Sequence, residues 1–302
     1  QNRKAEQTKE KFALDSEQVE EAGKAEEAKK TAREEQAEDP PKEAEPAEEH
    51  TATKLGELIR DTYAMFRPPT LQNVSEWADC NRIMVSESGS SEPGRWRTSR
   101  APYQREIMNS FTQTGIWKIV IMASAQVGKT EMELNMMGRA IDVDPGPILF
   151  IQPTDGFAED FSKRRVAPMI RACGALKRKV YEAKSRDAGN TITMKTFPGG
   201  SVTFTGANSP TELAGRPVRY VFCDEIDRFP RSAGTEGNPL KLAERRTETF
   251  RKRGRKMVLT STPTVKGASE IEKHYLQGTQ EEWHTECPHC HGHHIDTLQR
   301  IT

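Results

Sequence analysis

Lys118 to Thr130 reads KIVIMASAQVGKT, an apolar run that gives way to a loop of small residues and then to Gly-Lys-Thr. Ile119, Val120, Ile121 and Met122 have the composition of a buried strand, with a lysine before them and small residues after. Beyond the loop, Glu131, Met132, Glu133, Leu134, Met136 and Met137 are helix formers with no proline among them. The loop therefore falls where a helix N-terminus turns its free N–H groups toward an anion. Ala123-x-x-x-x-Gly128-Lys129-Thr130 has the spacing of a phosphate-binding loop, with alanine at the first glycine position. On that reading Ala123, Ser124, Ala125, Gln126, Val127 and Gly128 wrap phosphate, Lys129 reaches the β- and γ-phosphates of ATP, and Thr130 ligates Mg²⁺. The plainer alternative is a core strand, turn and helix with a chance Gly-Lys-Thr; the strand before and the helix after speak against it.

The 302 residues are 30% charged and 34% hydrophobic, polar for a compact protein, with 45 Lys+Arg against 45 Asp+Glu. The first fifty account for this, since they hold sixteen acids against nine Lys/Arg, a net of −7. Residues 51–302 then hold 36 Lys/Arg against 29 Asp/Glu, a net of +7 that permits a polyanionic partner. No run approaches the ~20 apolar residues of a membrane span, and no leader suggests secretion, so a soluble intracellular protein is expected. Five cysteines, of which only Cys287 and Cys290 are closely spaced, suit a reducing compartment. The chain begins without methionine and stops at Arg300-Ile301-Thr302 with no helix stop, which suggests a segment of a longer protein.

Four regions follow from the pattern. Residues 1–50 are an acidic leader, disordered or a solvated helix closed by Pro40, Pro41 and Pro46. Residues 51–100 are a helical N-terminal region, with helical patterns over 54–66 and 74–85, the second around Trp77 and Ile83. Residues 101–280 form the nucleotide-binding domain, and 281–302 begin a cysteine-knuckle segment. Within the domain, residues 147–152 and 218–223 read as buried strands, and 256–260 as the last convincing one. Residues 155–173 have a helical pattern interrupted by Pro168, and 191–205 read as a hairpin turning at Phe197-Pro198-Gly199-Gly200. Strand, helix and strand in succession imply a parallel sheet. Tyr103-Gln104, shortly before the first core strand, can recognise adenine, because a side-chain amide offers both donor and acceptor.

Tyr220 to Glu225 places two carboxylates at the C-terminal end of a buried strand, where open α/β sheets bind ligands. Asp224 would hold Mg²⁺ and its water shell, and Glu225 would activate the water that attacks the γ-phosphate. Thr260, Ser261 and Thr262 end the last strand with three hydroxyls placed to sense that phosphate. Phosphoryl transfer also calls for a further cation, for which Arg164, Arg165, Arg216 and Arg219 are the candidates. The basic run Arg245-Arg246, then Arg251-Lys252-Arg253-Gly254-Arg255-Lys256, could meet a phosphate backbone or be a solvated helix end. Cys287-Pro288-His289-Cys290 looks like half of a Zn²⁺ site that His291, His294 or a second Cys pair beyond Thr302 would complete.

Taken in order, GRWRTSRAPYQREIM, SAQVGKTE, FIQPTDGFAEDFSKRRVAPMIR, LAGRPVRYVFCDEIDRF, LTSTPTVKGASEIEK and CPHC resemble the large terminase subunit of tailed phages, in particular its lambda-type, GpA-like family. The resemblance runs from about Trp77 to the end. It implies an α/β fold: a P-loop NTPase of the RecA-like, additional-strand, catalytic-glutamate type, with a mainly parallel central sheet and helices on both faces. It also implies an ATP-driven motor that moves double-stranded DNA into a procapsid through its portal. A homo-oligomeric ring, the small terminase subunit as partner, and the cytoplasm of an infected bacterial host come with it. Residue by residue, Gln104 matches the adenine-contacting motif, Lys129 and Thr130 the phosphate loop, Asp224 and Glu225 the Mg²⁺ and catalytic acids, and Thr260 to Thr262 the coupling motif. The family's nuclease acids match nothing here, so no DNA cleavage is assigned. Where many terminases carry arginine in the loop, this chain has Ala125 and Gln126, which leaves the arginine finger to the candidates above or to a neighbouring subunit. Two other readings stand beside this one. A superfamily 2-like helicase is suggested by Asp224-Glu225-Ile226-Asp227 with an upstream glutamine, and the third is a zinc-containing DNA-binding adaptor with a vestigial nucleotide site.

Overall fold

Four strands made almost wholly of apolar residues need cover on both faces, and the helices between them supply it. The computed structural model describes residues 72–89, 92–180 and 191–294, with Gly56 and Ile59. The chain divides into two units, Gln1–Pro68 and Pro69–Thr302. Of the first, only Gly56 and Ile59 are described, both helical and both within the expected helix over 54–66; the acidic leader and the rest of that helix lie outside the described residues.

The second unit opens with α1 (Val74–Asn81), held by a capping box in which Asn73 accepts from the Glu76 N–H and Glu76 accepts from the Asn73 N–H. The helical pattern expected to reach Val85 stops four residues earlier. Arg82 turns into extended backbone and sends its guanidinium to the buried Glu131, 2.7 Å away, so Ile83–Met84 (β1) pair instead with Gly94–Arg95 (β2). Trp77 is wholly buried and donates its indole N–H to Asp142 at 2.8 Å.

A six-stranded sheet follows. Its strands are β3 (Lys118–Met122), β4 (Ile148–Gln152), β5 (Met194–Phe197), β6 (Gly200–Gly206), β7 (Tyr220–Asp224) and β8 (Lys256–Ser261). They lie in the order β3-β8-β7-β4-β6-β5, parallel except for β5, which pairs antiparallel with β6. The expected hairpin is that last pair, turning at Gly199 with φ 87°, a conformation open to glycine. The described helices are α2 (Gln104–Ser110), α3 (Lys129–Val143), α4 (Asp155–Phe161), α5 (Ala167–Ala172), α6 (Gly174–Lys177), α7 (Pro210–Gly215), α8 (Pro239–Arg246) and α9 (Glu270–Leu276). Pro168 does not break the run after β4. A π-turn over Ser162–Val166 joins α4 to α5 and leaves Pro168 in the first turn of α5, where its missing N–H is tolerated.

Side chains alternate across the strands. Ile119, Ile121, Phe150, Phe204, Phe222 and Val258 share one core with Trp77, Met108 and the apolar side of α3. Leu149, Ile151, Val221, Cys223, Met257 and Leu259 share the other with Leu213, Leu240 and Ile271 of α7, α8 and α9. No helix among the described residues is long and apolar enough to cross a membrane.

Candidate active site

Three strand ends converge at the C-terminal edge of this sheet. The loop after β3 reaches α3 through two left-handed residues, Gln126 (φ 63°) and Gly128 (φ 80°), which turns backbone N–H groups inward as an anion nest requires. Gly128 is fixed by packing as well, since a Cβ there would lie 2.5 Å from Gln104 Nε2. Gln104 Nε2 donates to the Val127 carbonyl at 2.9 Å, and the Tyr103 hydroxyl donates to the same oxygen at 3.0 Å. Gln104 Oε1 is buried with no partner among the described residues, an acceptor suited to an exocyclic N–H of a base. Trp283 meets Tyr103 edge-on, with ring centroids 6.3 Å apart.

Lys129 ties the three strand ends together. Its Nζ donates to the carbonyls of Ser124 (2.8 Å) and Ala123 (3.3 Å) and to Thr262 Oγ1 (2.8 Å), and it stands 3.8 Å from Glu225 Oε1. Glu225 follows β7 in left-handed backbone (φ 56°, ψ 52°), a strained conformation of the kind stored at functional sites. Asp224 Oδ1 accepts from Thr260 at 3.0 Å, and its Oδ2 accepts from Gln152 at 3.1 Å and lies 3.5 Å from Thr130 Oγ1. Burial pushes the Asp224 carboxyl above its ordinary range, and the bonds from Gln152 and Thr260 oppose that. The hard oxygens of Thr130 and Asp224 suit Mg²⁺, and the nest, Lys129 and Gln104 suit a nucleotide.

The predicted hydroxyls divide their work. Thr260 faces Asp224 and also Glu133 (3.2 Å to Oε1), and Thr262 holds Lys129. Ser261 Oγ accepts the Asp227 N–H at 3.2 Å. Asp227 in turn accepts from Thr264 N (3.0 Å), Thr264 Oγ1 (2.9 Å) and Ile271 N (2.8 Å), which clamps the turn after Glu225 to the first turn of α9.

Sequence reasoning missed Glu133, Gln152 and Asp227, together with Arg228, whose Nε lies 3.8 Å from Glu225 Oε2. The available signals were a glutamine ending an apolar strand and an acid one helical turn after Lys129. Glu133 is fully buried, and burial, then the Asp224 charge, push its carboxyl well above the ordinary value.

The arginine candidates do not gather at this edge. Arg165 Nη2 lies 2.6 Å from Glu131, which also holds Arg82, and Arg164, 76% exposed, pairs with Asp160 at 2.6 Å. Arg219 pairs with Asp144 at 2.7 Å, and Arg216 is exposed. Cys287 and Cys290 lie in the turn between Thr285–Glu286 (β9) and His293–His294 (β10), where the N–H groups of Cys290 and His289 lower the Cys287 thiol. His291 turns to Glu286 (2.7 Å), the side chain of His294 lies outside the described residues, and no group of three or more potential ligands stands together among the described residues. Two thiols fit half of a tetrahedral Zn²⁺ site.

A strand inserted between the loop-bearing β3 and the acid-bearing β7, with a lysine and two acids at one edge, defines an additional-strand P-loop NTPase fold. The family described as phage terminase large subunit gpA, ATPase domain, matches residues 90–302. The terminase large subunit of Escherichia phage lambda is 34% identical over 236 residues, 75% of this chain and 35% of that protein. That of Enterobacteria phage P21 is 32% identical over 249 residues, 79% of this chain and 37% of that protein, so the chain spans little more than a third of either relative. Among solved structures, the large terminase ATPase domain of Thermus phage P74-26 is similar with a TM-score of 0.43 and 17% identity, over 64% of this chain and 76% of that one. The chain belongs to the gpA-type family of phage terminase large subunits, whose ATPase domain it carries.

Proposed function

We propose that this chain is the motor portion of a packaging terminase, hydrolysing ATP to drive double-stranded DNA into a procapsid. The observation that carries the reading is the position of Lys129, in contact with its own loop, with Thr262 and with Glu225. Lys129 and the nest would bind the β- and γ-phosphates, Gln104 the adenine edge, and Thr130 and Asp224 the Mg²⁺. Bound there, Mg²⁺ supplies positive charge to the phosphate oxygens. Glu225 orients the attacking water and takes its proton, and Thr262 registers whether Lys129 is drawn away toward a phosphate. Arg165 serves Glu131, whereas Arg164 is exposed and held by a surface pair of little energy, free to serve a neighbouring copy in a homo-oligomeric ring. The ATPase domain occupies 101–280, and Cys287 and Cys290 begin a Zn²⁺-bound segment from 281. The small terminase subunit and the portal of the procapsid are the expected partners in the host cytoplasm.

The test is ATP turnover, with and without duplex DNA, for the wild-type chain, Lys129→Ala and Glu225→Gln. Both variants should lose about 10²-fold or more. Equal rates in all three would end the enzyme reading and leave the adaptor with a vestigial site. The helicase reading is not favoured, given the family match.

A further inference from the structure

A cavity of about 520 Å³ opens at the opposite edge of the sheet, where the parallel strands begin. Trp117 precedes β3, Tyr220 opens β7, and Lys256 opens β8; Arg139 of α3 and Arg251 complete the polar wall. Asp144 is the one acid among the lining residues, and it is already engaged. It forms a two-pronged pair with Arg219 (2.7 and 2.8 Å) and accepts the Tyr220 hydroxyl at 3.0 Å. Arg255 is engaged as well, bonded to Glu248 and stacked 4.4 Å over Trp117.

The remaining cations form no ion pair among the described residues, although Arg139 feels the charge of the Asp144 that Arg219 holds. Lys256 donates to the carbonyls of Gln113 and Ile116, which orient its ammonium without neutralising it. Arg139 is only 9% exposed; its Nε donates to the Gln72 carbonyl at 3.1 Å, and its other two nitrogens meet no partner among the described residues. Arg251 stands exposed at the rim, beside the exposed Lys252 and Arg253. Holding these two nearly buried cations beside Arg219, with Asp144 as the one lining acid, is costly. The cost shows at Lys256, where burial, then the charges of Arg139 and Arg219, bring the ammonium down to about 8.

We propose that this cavity is a second anion site, distinct from the nucleotide site, that takes a phosphate group on Arg139 and Lys256 with Arg251 at its mouth. Lys129 and Arg139 stand ten residues apart on α3, about 15 Å along the helix axis, so one phosphate cannot serve both. The site does not depend on the ATPase reading. The phosphate belongs either to a free small molecule or to a DNA backbone approaching over the basic turn at 251–253.

Inorganic phosphate titrated calorimetrically into the full chain carrying Lys129→Ala isolates the second site. Saturable binding is expected, weakened about tenfold by adding Arg139→Gln and about threefold by adding Arg251→Ala. Should Arg139→Gln not fold, Arg251→Ala decides alone, because its side chain is exposed. A short blunt duplex is the second arm. Displacement of phosphate by the duplex assigns the site to DNA backbone, and phosphate binding that the duplex leaves untouched assigns it to a free ligand. No saturable binding, or affinity unchanged by a folded rim or wall variant, overturns the proposal.

Discussion

Thr260 has one hydroxyl proton and two carboxyl neighbours, Asp224 and Glu133. It can donate to only one, so the other carboxyl must bring its own proton. Glu133 is the more deeply buried of the two and its carboxyl is pushed well above its ordinary value, which predicts that Glu133 is the one that keeps a proton beside Thr260 while Thr260 donates to Asp224. An acid raised in the folded state binds a proton more tightly there than in the unfolded chain. Its stabilising effect is therefore complete below the ordinary value of 4.5 and is lost as pH rises toward the higher folded value. Glu133→Gln keeps a donor for Thr260 without this dependence. Its melting temperature should gain on the wild type between pH 5 and pH 8 in Mg²⁺-free buffer, and parallel curves would remove the neutral acid. At this scale the sequence was legible where chemistry is local. Lys129, Thr130, Asp224, Glu225 and Thr262 lie in short runs, and these runs meet because strand ends meet. Glu133 and Gln152 were illegible because their roles depend on β4 lying beside β7 and on α3 packing under β8. The ion pairs of Arg164 and Arg165 with Asp160 and Glu131 are not apparent until the helices are in place.

Helix α3 bears on the site more than any other element, since it holds Lys129, Thr130, Glu131 and Glu133 on its first two turns. Its position is set further along by Gly138, where a Cβ would fall 2.4 Å from Trp77 and 2.7 Å from Met169. Alanine suits a helix better than glycine by about 1 kcal/mol. Overpacking costs about 1–3 kcal/mol and should win here, so Gly138→Ala is expected to lower the melting temperature. An unchanged or raised value would mean that α1 yields. Glu131→Ala should cost more, about 3–5 kcal/mol in chemical denaturation, because Arg82 is left buried without its partner. A loss below about 1 kcal/mol would show that water reaches Arg82. The core strands and the helix after the phosphate loop were readable from composition, and so was the hairpin, from its Pro-Gly turn. The end of α1 was not, because it is dictated by Arg82 reaching a glutamate 49 residues away. Pro168 was read as an interruption, and a π-turn absorbs it.

Across the whole molecule, none of Arg164, Arg165, Arg216 and Arg219 forms an ion pair with Asp224 or Glu225 among the described residues, and the proposal that Arg164 serves a neighbouring copy has a direct test. Chains carrying Arg164→Ala and chains carrying Glu225→Gln should each be inactive alone and should regain part of the ATP turnover when mixed, since some interfaces then pair an intact glutamate with an intact arginine. Absence of recovery across a range of concentrations would exclude Arg164 as the donor. The mainly parallel sheet and the family followed from sequence. The cationic cavity did not, because its residues are scattered from Arg139 to Lys256 and gather only at the starts of parallel strands. A last consequence comes from Asp227, which bonds Ser261, Thr264 and Ile271 at once. The bend that carries Glu225 is thereby tied to the end of β8 and to the start of α9 through one side chain. A displacement of that bend cannot leave α9 behind without breaking the Asp227 bonds to Thr264 and Ile271.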